Sequence, residues 1–83
     1  MEIEAPTVRR RILELLAQRG EDKTICPSEV ARALDPQNFR AHMSSVRSAA
    51  HTLVEEERIE VTQGGAVVDI RTARGPVRLG LRR

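Results

Sequence analysis

The spacing of the apolar residues changes once along this chain, near residue 59, and that change constrains its fold more than any other feature. Upstream, apolar side chains recur every three to four residues, the spacing that lines one face of a helix. "TVRRRILELLAQRG" puts Val8, Ile12, Leu15 and Leu16 on one face and ends at Gly20, a natural helix stop, which predicts a helix over about 7–19. In "CPSEVARAL", Pro27 fits a first helical position, where its missing N–H costs nothing. Cys26 then falls at the N-cap and Glu29 in the first turn, where a carboxylate favours the helix start. The predicted helix covers 27–34, with Val30, Ala33 and Leu34 as its apolar face, and "DPQN" breaks it. Further on, Met43, Val46, Ala50 and Leu53 make one stripe flanked by Ala49 and Val54, predicting a third helix over about 44–57. Beyond residue 59 the period drops to two. Ile59 and Val61 alternate with Glu60 and Thr62, and Val77, Leu79 and Leu81 alternate in "VRLGL". Strands are predicted over about 59–63 and 77–81, with a turn at Gly64–Gly65 and shorter extended pieces at Ile25 and "AVVD".

Three helices followed by paired strands give an α+β domain with the element order of a winged helix. Helices two and three form the helix-turn-helix and the hairpin forms the wing. The 83 residues allow one such domain, 1–83. Phe39 is the only aromatic residue, so the core must be aliphatic. No apolar run approaches the roughly 20 residues of a membrane helix, and the first residues lack a signal peptide's apolar stretch. A single cysteine permits no internal disulfide. The expectation is a cytoplasmic protein with no membrane association.

Charge is unevenly placed. Residues 1–69 hold nine Lys/Arg against twelve Asp/Glu, whereas residues 70–83 hold Arg71, Arg74, Arg78, Arg82 and Arg83 and no acid. A basic segment on a neutral or acidic body suggests an anionic partner. Three arginines, Arg9–Arg11, stand in the first turn of the first helix, against its dipole; either Glu2 and Glu4 offset them or they serve the surface.

Catalysis finds little to work with. His42 and His51 are nine residues apart and miss the spacing that puts two ligands on one helical face. Cys26 is distant from both, and no CxxC, HExxH or P-loop pattern occurs. Glu55–Glu57 read as a solvated helix end. The expectation is no enzyme: no catalytic residue, no cofactor and no metal. Nucleic-acid binding finds more, since it needs cations for phosphates and polar groups for base edges. The third helix would present Arg40, Ser44, Ser45, Arg47, Ser48 and His51, with Arg47 suited to a bidentate guanine contact. Arg71, Arg74 and Arg78 would hold the backbone from the wing. Scarce aromatics argue against base stacking on single strands, so double-stranded DNA is the expected partner. The alternative is a module for protein interaction or homodimerisation without DNA, because fold does not fix function.

"KTICPSEVARAL", "FRAHMSSVRSAAHTLVEEERIEVTQGG", "VVD" and "ARGPVRLGL" together resemble a bacterial family of short winged-helix proteins known only as a domain of unknown function. The resemblance spans about residues 8–81 and is strongest in T-I-C-P-S-E-V-A and A-R-G-P-[VI]-R. It implies the winged-helix fold and no established activity. Three positions depart from the family pattern. Phe39 stands where relatives typically have Trp. Ser44 stands where many have Pro, which implies that the third helix proper starts near residue 44. That leaves Arg40 on a separate turn and puts Ser44 and Ser45 at a helix N-terminus, a phosphate-binding position. Glu57 stands where relatives usually have Gly, which implies a left-handed backbone costing glutamate about 1 kcal/mol.

Overall fold

The computed structural model describes residues 3–82; Glu2 and Arg83 lie outside them. Pro6 lies in the first turn of helix α1 (Ala5–Arg19), so the helix starts two residues earlier than expected. Val8, Ile12 and Leu16 are fully buried at four-residue intervals, and Leu15 stays half-buried on the flank. Gly20 ends the helix, its N–H bonded to the Leu16 carbonyl. A two-residue strand β1 (Thr24–Ile25) follows, then helix α2 (Pro27–Leu34).

Cys26 is half-buried at the N-cap position of α2, but its thiol caps no backbone N–H and sits 3.2 Å from the Ser28 hydroxyl. Glu29 pairs at 3.0 Å with Arg19, tying the end of α1 to the start of α2. The pair is partly exposed and contributes roughly 0.2–1 kcal/mol. One expectation is corrected here: Ala33 is exposed, and Ala31 is buried with Val30 instead. The pattern Pro27, Val30, Ala31, Leu34 is the true helical stripe.

A separate 3-10 turn (Phe39–His42) precedes helix α3 (Met43–Glu55). Phe39 is only partly buried, with the Arg32 and Arg40 guanidiniums 4.4 and 4.9 Å from its ring centre. His42 is 7% exposed, its Nε2 3.0 Å from Asp35 Oδ2, which locks the turn onto the end of α2. Along α3, Val46, Ala49, Ala50 and Leu53 are buried and Met43 is half-buried, the expected stripe. The helix ends at Glu55 rather than residue 57, because the chain reverses through Glu57 at φ 61. The Arg58 N–H bonds to the Leu53 carbonyl and the Glu57 N–H to the Val54 carbonyl. That bonding is a Schellman stop, whose left-handed position normally takes glycine.

Strands β2 (Ile59–Gln63), β3 (Ala66–Val67) and β4 (Arg78–Leu81) join β1 in one antiparallel sheet of order β1-β4-β2-β3. Gly64 and Gly65, both at positive φ, close the β2–β3 hairpin in the two-residue turn that such angles allow. The long strand pairing is as expected: Val61 faces Leu79 and Ile59 faces Leu81 across β2 and β4. The two are joined through β3 and residues 68–77, however, not by one direct hairpin. Val77 precedes β4 yet is buried with Leu79. The core is aliphatic as the composition required. Ile70 joins it from an otherwise polar connection. The architecture is α+β, three helices on a four-stranded antiparallel sheet, and is compatible with a winged helix.

Candidate nucleic-acid interface

Residues 68–77 run from β3 back to β4 beside α3, and side chains rather than strand pairing hold them. Asp69 organises the first turn: its carbonyl accepts from the Thr72 and Ala73 N–H groups, and its carboxylate accepts from the Arg71 N–H at 2.9 Å. The Arg71 guanidinium closes on the same carboxylate at 2.9–3.3 Å. That contact holds the Asp69 carboxyl at about 2, below its ordinary range, and pushes Arg71 up.

The next four carbonyls are gripped alternately. Arg47 on α3 donates to the Ala73 and Gly75 carbonyls at 3.4 and 2.9 Å. Gln63 at the end of β2 donates to the Arg74 and Pro76 carbonyls at 2.6 and 3.0 Å. The segment bends at Gly75, whose φ is 82, and one side chain from the helix and one from the sheet hold its successive carbonyls. This is the physical content of "ARGP": a bend ahead of β4, held by a guanidinium and an amide.

The nine expected site residues separate under this geometry. Arg47, Ser48, His51 and Arg71 meet in one groove of about 380 Å³, with Ile70 and Ala73. Ser44, Ser45 and Ser48 line a second, of about 290 Å³, on the side of α3 that faces the start of α1. Ser48 borders both, so the two grooves form one strip across α3. Arg40 stays outside it, on the 3-10 turn against Phe39. Arg74 is exposed, and its guanidinium has no partner among the described residues. Arg78 donates to the Thr24 hydroxyl and carbonyl at 2.9 and 3.1 Å, fastening β4 to β1. His51 meets Glu55 at 3.2 Å. The start of α3 is less open than expected: the 3-10 turn runs straight into it and the Met43 N–H is already bonded to the Arg40 carbonyl.

The residue the sequence reading did not assign is Arg9, which lines the groove with the three serines. Its signal was the cluster Arg9–Arg11 near the start of the first helix; because α1 begins at Ala5, the cluster stands in its second turn. Of the other reactive groups, Cys26 contacts Ser28, His42 contacts Asp35 and His51 contacts Glu55, so no Cys–His pair forms among the described residues. No group of three His, Cys, Asp or Glu side chains among them is placed to hold a metal, and no helix is long and apolar enough to cross a membrane.

A family model described as a protein of unknown function, DUF3253, matches residues 5–82. The chain belongs to the DUF3253 family. The match takes in α1, the strip across α3 and the gripped segment, so the site described lies wholly within the family's domain. No curated protein matches this DUF3253 chain.

Proposed function

We propose that this chain is a non-catalytic, cytoplasmic winged-helix module that binds double-stranded DNA, with α3 in the major groove and residues 68–77 as the wing. One observation carries the reading. Arg47, Arg74 and Arg78 have no carboxylate partner among the described residues, whereas Arg71 and Arg82 are paired with Asp69 and Glu57. Arg47 also ties the segment that carries Arg74 to α3, and Arg47 and Arg78 border one groove. Arg9 supports the other end of the strip. Between Asp35 and Glu55 the chain has no acid, so α3 carries no carboxylate of its own until its last turn, and Asp69 beside His51 is held by Arg71. Phe39, covered by two guanidiniums, offers no stacking platform, which favours a duplex over a single strand. Arg71 adds little net charge while Asp69 holds it.

Titration of a mixed-sequence duplex by fluorescence anisotropy tests this. With about three phosphate contacts, affinity should fall about 40-fold between about 50 and 200 mM salt. Arg74→Ala should weaken all duplexes alike and flatten the salt slope by about 0.9. Undetectable binding at the lower salt removes the proposal. A second reading, protein docking or dimerisation, draws on Val67, which is 70% exposed on edge strand β3 beside Val54 and Val68. It is favoured if the chain sediments as a dimer that Val67→Lys dissociates.

A further inference from the structure

A third groove, of about 450 Å³, is separate from the strip except where Arg47 borders both. Cys26, Pro27 and Ser28 reach it from the start of α2, Met43 from the start of α3, and Gly75, Pro76 and Val77 from the segment before β4. The two stretches that carry the family resemblance, 50 residues apart, thus line one groove. Its lining is predominantly apolar, with Pro27 and Val77 buried and Met43 half-buried. Arg47 and Arg78 complete it.

Both guanidiniums are pinned by neutral acceptors only. Arg47 spends two N–H groups on the Ala73 and Gly75 carbonyls, and Arg78 spends two on Thr24. Each guanidinium has five donors, so three remain on each. A guanidinium already fixed by other bonds loses little further freedom when an anion arrives. Apolar walls with a few convergent polar groups, at several hundred Å³, are the composition of a small-ligand site. Inorganic phosphate would leave the apolar lining unused, and a neutral hydrocarbon would leave two cations unmatched. A molecule with one carboxylate and a compact apolar body answers both.

We propose that this groove binds a small apolar organic acid, its carboxylate on the free donors of Arg47 and Arg78 and its single ring or branched chain against Pro27, Met43 and Val77. The site does not depend on duplex binding and is tested without DNA.

The whole protein is titrated with phenylacetate and isovalerate, with their neutral amides, and with acetate, while the backbone amides of Ser28, Met43, Gly75 and Val77 are followed by NMR. The two acids should saturate with a Kd on the order of 1 mM or tighter. The amides, lacking the charge-assisted bonds, and acetate, lacking the apolar body, should each bind at least about tenfold more weakly. Arg78→Gln should weaken the acids by a similar factor. Alkylation of Cys26, which adds bulk inside the groove while leaving both arginines in the sequence, should abolish saturation. Equal response to acid and amide, equal response to phenylacetate and acetate, or shifts centred on Arg9 or Arg74 would each overturn the proposal.

Discussion

Glu57 is a non-glycine residue in a left-handed conformation, at φ 61, and replacing it by glycine should stabilise the domain. An L side chain at that angle costs roughly 1–2 kcal/mol through Cβ crowding. Glycine removes the crowding but gives the unfolded chain more freedom, which returns about 0.4–1 kcal/mol. Glu57 also faces Arg82 at 3.6 Å, but both side chains are largely exposed, so losing that pair costs well under about 1 kcal/mol. The Schellman bonds from Glu57 and Arg58 are backbone bonds and survive the change. Glu57→Gly should therefore gain about 0.5–1 kcal/mol. In a domain this size that is a rise of about 2–8 °C in Tm. Thermal and urea unfolding followed by circular dichroism measure it, with the urea m-value expected unchanged. Glu57→Gln is the control, since it keeps the backbone strain and drops the charge; it should stay within about 0.5 kcal/mol of the parent. The reasoning is refuted if Glu57→Gly melts at or below the parent. If Glu57→Gln falls with it, the Arg82 contact outweighs the backbone.

Two further predictions concern the gripped segment. Gln63→Ala removes both donors to the Arg74 and Pro76 carbonyls; it should cost about 1 kcal/mol and speed amide hydrogen exchange across residues 68–77, with little change in the helices. Asp69 has a lowered folded-state pKa, so its contribution is fully present above the ordinary carboxyl range and is lost as pH falls toward about 2. An NMR pH titration should show this, and in Arg71→Gln the Asp69 midpoint should move back up toward the ordinary value.

Much of this was legible in the sequence. The period change at Ile59 marked the passage from helices to sheet, and the stripe through Val46, Ala50 and Leu53 marked the central helix. Glu57 was legible only through the resemblance, since nothing local in "EEER" demands a left-handed residue. Ala33 was misplaced for Ala31 because in an eight-residue helix two alanines differ by too little to fix the face. Ile70 was missed: it follows "AVVD", but the Asp, Arg and Thr around it give no period that carries on beyond Val68. Arg47 was placed on the shoulder of the third helix beside Ser44 and His51, but its grip on the Ala73 and Gly75 carbonyls could not be foreseen. Backbone acceptors carry no sequence signal, so a side chain that closes on them looks the same, in a string of letters, as one that waits for a partner.

The sheet order has a kinetic consequence. Strands β1 and β2 do not pair with each other; β4 lies between them and pairs with both, while β2 also pairs with β3. The three helices have their turns within reach of local hydrogen bonds, but the sheet is completed only when β4 is brought to β1, where Arg78 and Thr24 stand 54 residues apart. That closure is the long-range, slow event in an otherwise local folding problem. Until then β1 has no strand partner. The arginine that fastens β4 to β1 is thus the latch of the assembly, and the groove it borders has no existence until the latch is shut.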